Sequence, residues 1–225
     1  RGVEQAMKFI ASVYEENTEA VYSQIKDLGE WIIENDPIRF PKLIDDDVVI
    51  LSHGLPSSLV VSNYSSIQAC HNDTVFRDKK AYLIACSTGL SLAPSAVKKG
   101  AKGILCYRDE FLFIFDSQKP HDQDIYLRAC IYPVRETIKA FVSTGDLRYA
   151  LNVHHRASRD AEKSLGDDAV SEMARGFIEF NDQNIILPSG VTPISLPWWI
   201  VFFPALIVVF AETYYMIKTE LEKLR

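Results

Sequence analysis

The chain has 225 residues, of which 48% are hydrophobic and 24% are charged, so it can bury a core without a disulfide or metal staple. Its formal net charge of −6, with no cluster of Lys and Arg, argues against nucleic acid as the main partner. The four cysteines, Cys70, Cys86, Cys106 and Cys130, form no CxxC pair. This argues against a zinc ribbon or a thioredoxin motif and favours a reducing compartment, with Cys106 and Cys130 as buried thiols.

Residues 1–36 are predicted to form N-terminal helices that cover a sheet. Apolar side chains recur there at steps of three and four, the spacing of one helix face, at Val3, Met7, Ile10, Val13 and Tyr14 and again over 21–32. Thr18 is predicted to cap the second helix, and Pro37 ends the helical run because proline disfavours helix at the residue before it.

Residues 45–187 are predicted to form the core of the domain. Three nearly continuous apolar runs are typical of parallel strands that are buried on both faces, and they are 48–52, 82–85 and 104–107. A helix is predicted over 90–99, ending at Gly100, and a fourth extended run over 111–115. The alternation of strand and helix predicts a mostly parallel sheet.

The remaining segments of the globular part, which spans 1–190, are less regular. Residues 55–79 are polar and predicted to be irregular, with a short helix at 65–70. Residues 122–173 are predicted to be helical in pieces, with a kink or break at Pro133. Strand-like runs are predicted over 177–187.

An uncharged apolar run occupies 194–211. Eighteen residues of helix span about 27 Å, close to the ~30 Å hydrocarbon core of a bilayer. Tryptophans near one end and tyrosines near the other suit the two membrane interfaces. We therefore predict a transmembrane helix within 194–217, with the globular domain membrane-associated in the cytoplasm. Packing of this segment on the domain or on a partner subunit, in a soluble cytoplasmic protein, is the alternative.

Two predicted strands end in reactive residues. His53 follows the run 48–52, and Cys86 follows the run 82–85. Open α/β sheets bind ligands at the carboxyl edge of their strands. A cysteine nucleophile needs an imidazole to take its proton and donors for the oxyanion. The sequence therefore predicts Cys86 as nucleophile, His53 as general base, and the Gly54 and Cys86 N–H groups as oxyanion hole. The N-terminus of the following helix is expected to lower the pKa of the thiol.

Other chemistries are less well supported. His154 and His155 are adjacent on a predicted helix, where neighbouring side chains point in different directions. Ser52 and Ser87 lie outside any GxSxG elbow, which argues against a serine hydrolase. We expect no metal and no cofactor.

The segments Ile50-Leu51-Ser52-His53-Gly54 and Leu83-Ile84-Ala85-Cys86-Ser87-Thr88-Gly89 resemble the strand–His-Gly and strand–Ala-Cys motifs of caspase-like (clan CD) cysteine peptidases. The likeness is greatest to CHAT and separase-type domains and covers about 45–187. It implies a caspase-like α/β/α sandwich and a cysteine endopeptidase acting on proteins or peptides. The caspase pentapeptide is absent, the spacing of 33 residues between His53 and Cys86 is shorter than in many members, and the first strand of that fold is not evident.

The resemblance also implies specificity and control. Separase-like and CHAT-like members use an acidic residue after the next strand to select a basic P1 side chain, and Asp109 matches that position, with Glu110 second. The family is commonly held inactive until a partner or signal orders its loops, which here would be 55–79 and 108–122. The alternative is a non-catalytic caspase-like interaction module anchored by the apolar segment.

Overall fold

The computed structural model describes residues 7–188. The strands are β1 (Lys8–Ala11), β2 (Trp31–Ile33), β3 (Val48–Leu51), β4 (His53–Leu55), β5 (Ser58–Val61), β6 (Tyr64–Gln68), β7 (Lys80–Ile84), β8 (Gly103–Tyr107) and β9 (Ile185–Ile186). The helices are α1 (Glu16–Ile25), α2 (Leu92–Lys98), α3 (Ile125–Thr144), α4 (Leu147–Ser164) and α5 (Ala169–Asn184).

The main sheet has the order β2-β1-β3-β7-β8-β9. All its neighbours are parallel except β9, which runs antiparallel to β8. The expected mixed α/β fold with a mostly parallel sheet is confirmed. The apolar runs predicted as strands correspond to β3, β7 and β8.

Both faces of the sheet are covered, which explains why its central strands are apolar at every position. Alternate residues, such as Val49 and Leu51, pack towards α1, α3 and α4. The residues between them, such as Val48 and Ile50, pack towards α2, β5 and β6. Period-two alternation therefore divides each strand between two separate cores.

The polar segment that follows β3 is a small sheet rather than an irregular loop. β4, β5 and β6 form an antiparallel meander. Ser62 and Asn63 have φ of 47° and 66°, the left-handed conformations that close a tight hairpin. The short helix predicted over 65–70 is wrong, because that stretch pairs with β5 and buries Ile67 in the core.

The prediction of two helices before residue 37, the second capped by Thr18, is also wrong in part, because α1 has Glu15 as its N-cap and Thr18 lies within its first turn. Phe9, Ile10 and Ala11 belong to β1, which lies between β2 and β3 in the sheet. Their three- and four-residue spacing fits a helix, but pairing with distant strands on both sides decides the conformation. α1 covers only part of the predicted helical run, and β1 is a strand that the sequence did not reveal before 48–52.

Three other expectations are corrected. The predicted break at Pro133 is absent and α3 continues through it, because the helix loses one hydrogen bond there while its buried side chains hold both halves on the sheet. Residues 111–115 form no strand. α5 extends to Asn184, so only β9 remains of the strand-like run over 177–187.

The predicted transmembrane segment 194–217 lies outside the described residues. Within 7–188, no helix combines the length and the apolar character that crossing a bilayer requires.

Candidate functional site

Three adjacent parallel strands end together at one edge of the main sheet. The Ser12 N–H donates to the Leu51 carbonyl at 2.9 Å, and the Ser52 N–H donates to the Ile84 carbonyl at 3.3 Å. The pairing of β1 with β3 and of β3 with β7 is thus maintained to the strand ends. The chain beyond these strands brings Glu15, His53 and Cys86 to the same edge of the sheet.

His53-Gly54 lies directly against the backbone of Cys86. A Cβ built on Gly54 would stand 2.1 Å from the Cys86 carbonyl oxygen and 2.8 Å from the Cys86 nitrogen. No side chain fits in that space, so the glycine permits a close approach between two strand ends. The fold therefore brings Gly54, which directly follows the predicted base His53, against the backbone of Cys86, the predicted nucleophile.

The His53 ring is held between two residues of the segment that follows β1. Tyr14 packs edge-on against it, with ring centroids 5.3 Å apart. Glu15 Oε2 lies 3.2 Å from His53 Nε2. The carboxylate oxygen is out of line with the ring N–H, so Nε2 is buried without a proper hydrogen bond. The imidazole has an acidic neighbour that is close but poorly aligned.

The Cys86 thiol is covered in this conformation. Sγ accepts a hydrogen bond from the Phe111 N–H at 3.3 Å. Burial raises the pKa of the thiol, the Phe111 N–H partly opposes this, and the negative charges of Glu110 and Asp109 raise the pKa further. The expected lowering of this pKa by a helix N-terminus is wrong, because burial and the two carboxylates raise the pKa instead, and α2 begins at Leu92 rather than directly after Cys86.

The two acidic residues predicted to contact substrate lie beside the thiol. The Asp109 carbonyl accepts the Ser87 N–H at 2.8 Å, which ties the acidic loop to the residue after Cys86. Asp109 Oδ1 accepts the Glu110 N–H at 2.9 Å. Burial raises the pKa of the Glu110 carboxyl, and the neighbouring Asp109 charge adds to this. A negatively charged patch therefore flanks the Cys86 thiol.

The Cys86 N–H, which was predicted for the oxyanion hole together with that of Gly54, differs in its hydrogen bonding from the Ser87 N–H that follows it. Among residues 7–188, no backbone carbonyl accepts the Cys86 N–H. The next N–H, that of Ser87, is bound to Asp109, and Ser87 adopts a left-handed φ of 56°. The Cys86 N–H interacts with its own Sγ rather than with a backbone carbonyl, whereas the Ser87 N–H is bound to the Asp109 carbonyl.

Sequence reasoning missed Glu15, Tyr14 and Phe111. Glu15 and Tyr14 were assigned to a helical region, which hid their place after a strand. The signal that could have found them is the apolar run Phe9–Ala11 followed by polar residues, the pattern that located His53 and Cys86. Phe111 acts through its backbone N–H, which no side-chain pattern reveals.

The paired histidines diverge, as their adjacency predicts. Buried His154 contacts Thr137 Oγ1 through Nδ1 at 2.9 Å, whereas His155 contacts Asp182 at 2.8 Å. In the described part of the chain, no group of three or more His, Cys, Asp or Glu residues is arranged to hold a metal. All four cysteines are free, and Cys106 and Cys130 are buried as predicted.

A scan against protein-family models finds no match to this chain, and a search of curated proteins finds no significant relative.

Proposed function

We propose that this protein is a caspase-like cysteine endopeptidase with a caspase-like α/β/α sandwich fold. The observation that carries the proposal is the contact between Gly54, the residue after His53, and the Cys86 backbone at the carboxyl ends of neighbouring parallel strands. The layered covering of the sheet and the strand–His-Gly and strand–Ala-Cys motifs support the same assignment. An open α/β sheet uses this edge for ligands.

In the proposed reaction, His53 takes the proton from the Cys86 thiol, and the thiolate attacks the scissile carbonyl carbon of a peptide. The resulting oxyanion accepts hydrogen bonds from the Cys86 and Gly54 N–H groups. His53 then gives its proton to the leaving amine as the C–N bond breaks and an acyl-enzyme remains. Water, deprotonated by His53, hydrolyses the thioester and regenerates the thiol.

The described conformation corresponds to a resting state in this proposal. The Phe111 N–H donates a hydrogen bond to Sγ. Burial and the charges of two nearby carboxylates both oppose ionisation of the thiol. Activation requires the segment 108–122 to move so that Sγ meets substrate and imidazole. A partner protein or another signal would supply the energy of that movement.

Asp109 and Glu110 favour a basic P1 side chain. Their carboxylates flank the thiol and raise its pKa. A P1 arginine or lysine would pair with them and offset their effect on the thiol. The substrate class is therefore a protein or peptide cleaved after a basic residue.

The test is labelling of the full chain with peptidyl electrophiles that differ only at P1, with and without candidate activators. We expect Arg and Lys probes to label Cys86 and neutral or acidic probes to fail. Cys86→Ala and His53→Ala should abolish labelling, whereas Cys70→Ser, at an exposed thiol, should not change it. Loss of the P1 preference in Asp109→Asn with Glu110→Gln would support the specificity assignment, and its persistence there would refute it.

One observation favours a second candidate, a non-catalytic caspase-like module that binds a partner. The Cys86 sulfur already accepts a hydrogen bond from the Phe111 N–H, and burial raises the pKa of the thiol. A binding module would keep this arrangement when its partner is bound. Absence of Cys86-dependent labelling under every activating condition would favour the module.

The sequence of 194–217 supports a membrane anchor for either candidate. If this segment spans a bilayer, the full chain will stay in the membrane fraction through alkaline carbonate washing and enter solution only with detergent. Release by carbonate alone would favour packing on protein, and hence the soluble alternative.

A further inference from the structure

We infer that Glu15 is a positioning residue for His53, completing a Glu15–His53–Cys86 array drawn from the ends of β1, β3 and β7. The inference rests on the proposed function in taking His53 as the general base. The Glu15 carboxylate favours the neutral tautomer of His53 that carries its proton on Nε2, and it fixes the orientation of the ring. The observation that carries it is the 3.2 Å approach of Glu15 Oε2 to the buried His53 Nε2.

The backbone around Glu15 is fixed by its neighbours. Thr18 Oγ1 donates to the Glu15 carbonyl at 2.9 Å and accepts the Glu15 N–H at 3.4 Å. Asn35 accepts from the Ser12 hydroxyl at 3.1 Å and donates to the Val13 carbonyl at 3.1 Å. Hydrogen bonds therefore fix the turn from β1 into α1 at both ends. They hold the backbone of Glu15 in the position from which its side chain reaches His53.

The Glu15 side chain has two neighbours of interest, the Thr18 backbone in the capping box of α1 and the His53 imidazole. Among the described residues, no Lys or Arg lies within 4.0 Å of the Glu15 carboxylate, and His53 is its ion-pair contact. Tyr14 covers one side of the same ring. Two successive residues therefore restrict the His53 ring, one by packing and one by charge.

The chemistry follows from the two ring nitrogens. A carboxylate next to Nε2 favours the tautomer with its proton on Nε2, which leaves the lone pair on Nδ1 for the Cys86 proton. When His53 becomes an imidazolium, the carboxylate stabilises it. Poor alignment of catalytic hydrogen bonds is common before substrate binds, and the bond is expected to shorten and straighten on activation.

The test is ¹⁵N NMR of the His53 ring in the full chain, at a pH where the ring is neutral, with His53→Ala identifying the signals. We expect Nε2 protonated and Nδ1 unprotonated in the wild type. Glu15→Gln should give a mixture of tautomers, whereas Glu16→Gln, at an exposed acid in the same helical turn, should match the wild type. Glu15→Asp, which keeps the charge, should restore part of the wild-type signature. Unchanged nitrogen shifts in a folded Glu15→Gln protein would overturn the inference.

Activity separates this inference from the proposed function. If labelling of Cys86 occurs, Glu15→Gln should slow it by about tenfold or more, since general acid–base catalysis contributes roughly 10²–10⁴-fold in all. Failure of every probe to label Cys86 would refute the proposed peptidase function but would not affect the conclusion from the His53 ring nitrogens. A wild-type labelling rate in Glu15→Gln would refute the role of Glu15 in the reaction but would leave the proposed peptidase function supported.

Discussion

Gly54 is the residue at which the backbone of one strand end meets the next. A Cβ there would stand 2.1 Å from the Cys86 carbonyl oxygen, which belongs to the backbone and cannot turn aside. We predict that Gly54→Ala lowers the free energy of unfolding by about 1–3 kcal/mol, the usual result of overpacking. Urea denaturation measures the change.

Gly176 provides a matched control for that substitution. It lies inside α5, and an added Cβ would meet no atom within 4 Å. Alanine should therefore stabilise the protein there, by up to about 1 kcal/mol, because glycine is a poor helix former. If both alanine variants shifted the urea midpoint in the same direction, the close approach at Gly54 would not be the cause.

His154 makes stability depend on pH. Burial lowers its pKa to about 3, with a smaller contribution from His155, against 6.5 in the unfolded chain. Between these values the unfolded chain binds a proton that the folded chain does not. The stability contributed by the neutral ring is therefore complete above pH 6.5 and is lost as pH falls towards 3.

The measurement compares unfolding free energies of the wild type and His154→Gln at pH 7 and pH 4.5. At ~1.4 kcal/mol per pH unit, the wild type should lose about 2–3 kcal/mol more than the variant over that interval. His71→Gln, at an exposed histidine, should follow the wild type. Parallel pH curves for the wild type and His154→Gln would contradict the prediction.

At the scale of elements, α5 fixes the loop that covers the thiol. The Leu112 N–H donates to Asn181 Oδ1 at 2.9 Å, and Asn181 Nδ2 donates to the Leu112 carbonyl at 2.6 Å. Asn181 thus pairs with Leu112 as a strand would, next to the Phe111 N–H that occupies Cys86 Sγ.

We predict that Asn181→Ala exposes Cys86. Loss of both hydrogen bonds should lower the free energy of opening the loop over Cys86 by about 1–3 kcal/mol. The rate of Cys86 alkylation by iodoacetamide should therefore rise about tenfold. Mass spectrometry of the labelled peptide measures this rate. Gln183→Ala, at an exposed residue of the same helix, is the control. Equal Cys86 alkylation in the two variants would mean that α5 does not hold the cover.

The elements show why some of the fold could be predicted from the sequence. β3, β7 and β8 are buried on both faces, so each appears as an uninterrupted apolar run. His53 and Cys86 were located because each follows such a run. β1 has the same burial, but the spacing of Met7, Ile10, Val13 and Tyr14 also fits a helix face. Its pairing with two distant strands removes the ambiguity, and local sequence does not encode that pairing.

The same limit applies within the site. The sequence does not reveal the position of Glu15, because the apolar spacing of β1 also fits a helix. The cover over Cys86 depends on the long-range pair between Leu112 and Asn181, 69 positions apart in the chain. Asp109 and Glu110 could be located because they directly follow a clear strand. Residues placed by a strand were predictable, and residues placed by loop packing were not.

At the scale of the whole molecule, the layers predict a gradient of stability. β3 and β7 are paired on both sides and buried on both faces, whereas β2 and β6 are the outer strands of their sheets. Hydrogen exchange should therefore be slowest in β3 and β7, faster in β2 and β6, and fastest in the loop over 116–120. Peptide-resolved exchange followed by mass spectrometry measures this order, and faster exchange in β3 than in β2 would contradict it.

The common edge of β1, β3 and β7 also bears on how the protein is made. Glu15, His53 and Cys86 are far apart in sequence and reach the same edge of the sheet only when three parallel strands have paired, a slow, non-local step in folding. A nascent chain that ends before Cys86 already carries the imidazole and its acidic neighbour but has no thiol beside them. The loop that occupies Sγ follows the thiol closely in the chain. During translation, the loop that contains Phe111 is therefore synthesised soon after Cys86.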